Sequence, residues 1–112
     1  MNANARTARA TLRQRTRTQR AASRIARRGS ASLTTHAMAT GLAPTQARTV
    51  ASSLRRNARK LGITGAPARV HAGRHMRTTT RFTPAQVAAI AAVYRPRKAV
   101  YQAAAARLAL AA

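Results

Sequence analysis

The chain contains no aspartate and no glutamate, against 22 lysines and arginines in 112 residues, for a formal net charge of +22. An ordinary domain is about 25% charged and mixes both signs. Here no ion pair between side chains can form within the chain. Arg55/Arg59 and Arg56/Lys60, each four residues apart, repel on a helix by roughly 0.2–0.5 kcal/mol per pair. The balancing anion must therefore come from outside. Nucleic-acid phosphate fits best, because neutralising it releases counterions and drives binding. An anionic membrane surface and other acidic partners are the alternatives.

Other absences narrow the function. Without carboxylates there is no ordinary acid/base pair, and without cysteine there is no thiolate nucleophile, thiolate metal ligand or disulfide. The expectation is a protein that is not an enzyme and needs no cofactor. Only His36, His71 and His75 titrate near neutrality. The spacing of His71 and His75 suits zinc only on a helix; Gly73 lies between them in a stretch that reads as extended. The histidines are expected to be exposed or phosphate-contacting, with no metal site. No apolar run approaches the ~18 residues of a membrane span. The aromatics are Phe82, Tyr94 and Tyr101 alone. Single-stranded RNA recognition favours stacking aromatics, and these three are needed for a core.

Residues 1–29 hold nine arginines: Arg6, Arg9, Arg13, Arg15, Arg17, Arg20, Arg24, Arg27 and Arg28. Leu12 and Ile25 are their only large aliphatic neighbours, too little apolar surface to offset ordering entropy. The segment reads as a basic arm, disordered when free, with part of 8–28 becoming helical on binding because Ala and Arg are good helix formers. Such an arm tracks a phosphate backbone or enters a minor groove. A solubilising tail and a transit peptide are the other readings.

Beyond the arm the order is clearer. Ser30 or Ser32 can cap a helix over roughly 32–40, with Leu33, Ala37 and Met38 facing inward. Gly41 turns the chain, and Leu42 plugs the turn from below. Pro44 takes the first position of a second helix, where its missing N–H costs nothing, and Gly62 ends that helix. Ala47, Val50, Ala51, Leu54, Ala58 and Leu61 form its inner face in steps of three and four. Its outer face is mixed polar in the first half and cationic in the second. Two helices joined by a short turn containing Gly form a helix-turn-helix unit. Thr45, Gln46, Arg48, Thr49 and Ser52 are then expected to read base edges. Phosphate contacts are assigned to Arg55, Arg56, Arg59 and Lys60, with Arg13, Arg15, Arg17, Arg20, Arg24, Arg27 and Arg28 of the arm.

Ala37-x3-Gly41-Leu42, then Pro44, Val50, Leu54 and Leu61-Gly62, resembles the helix-turn-helix core of winged-helix transcription regulators. The resemblance spans residues 33–62. It implies major-groove reading by Thr45, Gln46, Arg48 and Thr49, and a β-hairpin wing after the Leu-Gly pair.

The residues after Gly62 do read as a hairpin. Residues 63–67 form a connector of turn residues. Arg69–Ala72 is one short strand, Gly73-Arg74 its turn, and Met76–Phe82 the second strand, with β-favouring threonines. A hairpin alone is marginal, so Val70, Met76 and Phe82 should pack on the helices while Arg69, Arg74, Arg77 and Arg81 meet phosphates; an irregular basic loop is the alternative. Thr83-Pro84-Ala85-Gln86 is a capping box opening a helix to about Tyr94, with Val87, Ile90, Ala91 and Tyr94 on one face. Arg95-Pro96 breaks it. A last helix, from about Arg97 to Leu110, buries Val100, Tyr101, Ala104, Ala105 and Leu108.

The expected architecture is mainly α: a helix-turn-helix core with a small β-hairpin wing, C-terminal helices and a basic N-terminal arm. Residues 1–29 form the arm and 30–112 the DNA-binding domain with its C-terminal helical part. The expected partner is double-stranded DNA, with RNA as the second choice, no membrane, and a homodimer through 84–110 as an option. A transcriptional or mobile-element regulator is the leading function, in the cytoplasm on the nucleoid. A non-specific nucleic-acid structural protein, either a nucleoid compactor or a ribosomal-type RNA binder, is the alternative.

Overall fold

The computed structural model describes residues 2–111. Its elements are α1 (Ala3–Arg28), α2 (Leu33–Met38), α3 (Pro44–Leu61), β1 (Ala66–Ala72), β2 (His75–Arg81), α4 (Pro84–Ala92) and α5 (Ala99–Leu110). The architecture is mainly helical with one small antiparallel hairpin.

The basic arm, expected to become helical over part of 8–28, forms one continuous helix of 26 residues over 3–28. Asn2 caps it, Oδ1 accepting from the Ala5 N–H at 2.8 Å, and the Gly29 N–H closes it onto the Ile25 carbonyl at 2.8 Å. The physical reason is twofold. Ala and Arg favour helix strongly, and the second half of α1 is docked. From residue 14 onward its buried or half-buried positions are Gln14, Thr18, Ala21 and Ile25, in steps of four, three and four. Gln14 Nε2 donates to the Gly41 carbonyl at 3.1 Å and the Leu42 carbonyl at 3.0 Å. From the other end of the chain, Arg107 Nη1 donates to the Thr40 carbonyl. Three consecutive carbonyls of the α2–α3 turn are thus satisfied by side chains from the two terminal helices.

α2 starts where expected, with Ser32 Oγ accepting from the Thr35 N–H at 3.3 Å. α3 has the expected bounds, Pro44 at its start and Gly62 (φ +70°) after its end. The Ile63 N–H reaches the Ala58 carbonyl at 2.9 Å and the Gly62 N–H the Arg59 carbonyl at 3.2 Å. This is the paired Schellman closure, which needs a left-handed residue at Gly62. It also explains why Leu61, assigned to the inner face, is 45% exposed. The last turn of α3 overshoots the core, and Ile63, swung back by the closure, packs there instead.

β1 and β2 pair from Ala66↔Arg81 to Ala72↔His75, leaving Gly73-Arg74 as the two-residue turn. β1 begins at Ala66, earlier than the Arg69 expected, since Pro67 lacks only an N–H that an edge strand can spare. The hairpin base is fixed by Phe82, which is buried, and by a bridge to Ala31: the Ala31 N–H donates to the Phe82 carbonyl at 3.0 Å and the Phe82 N–H to the Ala31 carbonyl at 2.8 Å. Gly65 is required there because a Cβ would sit 2.6 Å from the Arg81 carbonyl oxygen. Val70 is only half-buried and Met76 is exposed, so the hairpin stands out from the body and anchors through Phe82 rather than through all three.

The Thr83 capping box is present in both directions, Thr83 N–H to Gln86 Oε1 at 2.9 Å and Gln86 N–H to Thr83 Oγ1 at 3.2 Å. α4 buries Val87, Ile90 and Ala91, and Tyr94 is buried just past its end. α4 stops at Ala92 and α5 starts at Ala99, so the break around Pro96 is wider than the sequence implies. Ala104, Ala105 and Leu108 of α5 are buried and Tyr101 packs partly buried against the core, whereas Val100, expected inside, is exposed.

The core joins Leu33, Ala37, Leu42, Val50, Leu54, Phe82, Val87, Ile90 and Leu108 through intervening alanines. Leu54 and Ile90 are fully enclosed; each such side chain contributes about 1.5–3 kcal/mol on burial. One polar side chain, His36, is buried among the described residues, contrary to the expectation of an exposed or phosphate-contacting histidine. Its Nε2 lies 2.7 Å from the Phe82 carbonyl. A carbonyl only accepts, so Nε2 carries the proton and donates. Burial pushes the imidazole below its ordinary range, partly offset by this hydrogen bond. His36 therefore pins α2 to the hairpin base in its neutral form.

Candidate nucleic-acid interface

α3 is 18 residues long, about 27 Å at 1.5 Å per residue. Its buried positions, Ala47, Val50, Ala51, Leu54 and Ala58, define one side. The opposite side is exposed at Thr45, Arg48, Thr49 and Ser52, then at Arg55, Arg56, Arg59 and Lys60. All four assigned cations of α3 and four of its five assigned base readers therefore face outward together. The fifth, Gln46, does not join them. It is half-buried, and its Oε1 accepts from the Ala43 N–H at 3.1 Å. Ala43 stands at the cap position and has no side chain to satisfy the helix start, so Gln46 is drawn back to serve it.

Two flanks border this exposed side. On one, Arg55 shares a hollow of about 320 Å³ with Ser32, Arg77 and Thr78–Thr80 of the hairpin. Arg74 and Arg77 are exposed near the hairpin tip, with His71 and His75 beside them. Arg81 does not join them. It is half-buried and its Nη2 donates to the Ser30 carbonyl at 3.2 Å, tying the hairpin base next to the Ala31 bridge rather than facing outward. On the other flank, a cleft of about 670 Å³ separates Thr49, Ser53, Arg56, Asn57 and Lys60 from the segment Val93–Lys98 and Tyr101. Arg95, Arg97 and Lys98 line it, and the sequence offers no sign of this: about forty residues separate them from α3, and no shared periodicity links them.

α1 carries the remaining assigned cations. Arg6, Arg9, Arg13, Arg17, Arg20, Arg24 and Arg27 recur in steps of three and four, which places them along one face of the helix. That row is about 32 Å long at 1.5 Å per residue. Arg28 lies beside it, and Arg15 points away from it. All of the assigned α1 arginines are exposed. The docked stripe through Gln14, Thr18, Ala21 and Ile25 runs along a neighbouring face, so docking leaves the row uncovered.

With no acidic side chain in the chain, nothing internal compensates these cations. The arrangement can hold extended polyanions; among the described residues no group of three His, Cys, Asp or Glu is assembled to hold a metal ion. No helix among the described residues is long and apolar enough to cross a membrane. No family model, no curated protein and no solved structure matches this chain.

Proposed function

We propose that this chain is a duplex-DNA-binding protein that reads base edges with the first half of α3 and grips phosphates with the second half, the hairpin and the α1 arginine row. α2, the Gly41 turn and α3 act as a helix-turn-helix unit, and the β1–β2 hairpin acts as its wing. The observation that carries this reading is the outward side of α3. Thr45, Arg48, Thr49 and Ser52 come first, Arg55, Arg56, Arg59 and Lys60 come after them, and all eight are exposed on a helix whose far side is buried in the core. A major groove about 12 Å wide admits such a helix, and the division along α3 separates residues that specify from residues that anchor. A regulator of transcription or of a mobile element is the role this design suits.

The α1 row favours a second reading, since arginines that meet only backbone phosphates bind any sequence. Affinity for a site selected from a random duplex pool, measured against unselected duplex over a salt series, separates the two. Specific reading predicts a preference of about 10³ or more; a packaging protein shows a steep salt slope and no preference. Arg48→Ala should relax the base preference, by about 1–3 kcal/mol for a bidentate contact, whereas Arg59→Ala should weaken all sequences alike. An unchanged preference in Arg48→Ala rules out α3 as the reading element.

A further inference from the structure

We propose that the cleft between α3 and the 93–98 segment is a second phosphate grip, holding the DNA strand that borders α3 on the side away from the hairpin. The proposal rests on the reading of α3 as the groove-binding helix and extends it to residues not otherwise assigned a role. Arg56 and Lys60 from α3 and Arg95, Arg97 and Lys98 from the connector line this one cleft. Five cations converge there in a chain without a single acid, so only an external anion can relieve their repulsion. A helix lying in a major groove has one sugar–phosphate backbone on each side. The hairpin, with Arg74 and Arg77, lies on the side of one; the connector lies on the side of the other.

The connector is built to hold its place. Arg95 Nη1 donates to the Ala92 carbonyl at 2.7 Å and the Tyr94 carbonyl at 3.1 Å. Gln102 Nε2 donates to the Pro96 carbonyl at 3.2 Å and the Arg97 carbonyl at 3.4 Å. Buried Tyr94 anchors its start, and the Lys98 ammonium lies 5.9 Å from the Tyr101 ring centroid. Arg97 and Lys98 are exposed, and among the described residues their side chains make no hydrogen bond. They are therefore presented on a fixed loop at little ordering cost.

The test uses the full chain with Arg97→Gln and Lys98→Gln combined, its fold verified by circular dichroism. The charge-preserving pair Arg97→Lys and Lys98→Arg is one control. The equally neutralising pair Arg13→Gln and Arg17→Gln on α1 is the other. Binding to a selected duplex is followed over a salt series, together with strand-resolved hydroxyl-radical footprints. Two lost phosphate contacts lower the salt slope by about 1.8, at about 0.9 per phosphate. Protection should disappear from one strand at one edge of the site, and neither control should remove it. An unchanged slope and footprint in the glutamine pair overturns the second grip and leaves the reading of α3 standing. Loss spread evenly over both strands overturns it too. A wild-type chain that binds no duplex removes the reading of α3 and this proposal together.

Discussion

Gln14 offers a sharp test of how the N-terminal helix is held. Its amide is the single side chain of α1 that reaches the α2–α3 turn by hydrogen bonds, giving 3.1 Å to the Gly41 carbonyl and 3.0 Å to the Leu42 carbonyl. A typical hydrogen bond contributes about 0.5–1.5 kcal/mol net. The Gly41 carbonyl lies where water can replace the amide, and the Leu42 contact is partly buried. Gln14→Ala should therefore cost about 1–2 kcal/mol, toward the lower end if water enters freely. For a domain of this size each kcal/mol moves the melting temperature by roughly 4–8 °C. Gln14→Glu distinguishes this cause from simple charge. It lowers the net charge by one and would stabilise a chain of +22 if self-repulsion governed. Docking by hydrogen bonds predicts that it is no more stable than Gln14→Ala, because a carboxylate presents only acceptors to two carbonyls. Thermal melts followed by circular dichroism, with Arg13→Ala as the exposed neighbour that should leave the melt nearly unmoved, supply the measurement. A Gln14→Glu chain melting above wild type would refute the docking of α1 through this residue.

The core supplies two further expectations. His36 is held neutral by burial, its folded value lying below the ordinary one. The unfolded chain then binds a proton that the folded chain refuses, so stability is complete above about pH 6.5, falls as pH drops below it, and levels off under the folded value; urea midpoints over that range should show the loss, and His36→Gln should flatten it. Leu54 is fully enclosed, so Leu54→Ala should cost about 2–5 kcal/mol by equilibrium urea unfolding, and a loss below ~1 kcal/mol would mean that α3 is not seated in the core.

Features with local chemistry were legible from the residues alone. Thr83 and Gln86 meet each other across one turn, Pro44 and Gly62 bound α3, and Gly73-Arg74 closes the hairpin; each depends on neighbours a few positions away. Depth was not legible. Periodicity assigns a residue to a side of an element but not to a distance from the core, so the pattern places Leu61, Met76 and Val100 inside although they are exposed. Long-range partners were not legible either. His36 meets a carbonyl 46 residues away, and Arg81 turns to Ser30. Gln14 and Arg107 reach a turn from opposite ends of the chain. The docked stripe of α1 is half polar, Gln14 and Thr18 beside Ala21 and Ile25, so it does not stand out as an apolar face. Within the interface, the exposed cations of α3 were readable as a pattern. Diversion of Gln46 to the uncapped Ala43 amide, and the arrival of Arg95, Arg97 and Lys98 beside α3, depend on the folded geometry.

If the outward side of α3 touches the bases, a photoreactive residue placed there will mark them. Thr49 is replaced with such a residue, and separately Thr16 on α1, and each chain is irradiated while bound to the selected duplex. Position 49 should cross-link to bases within the selected site, and position 16 only weakly or to the backbone. Base cross-links from position 16 with none from position 49 would contradict groove reading by α3.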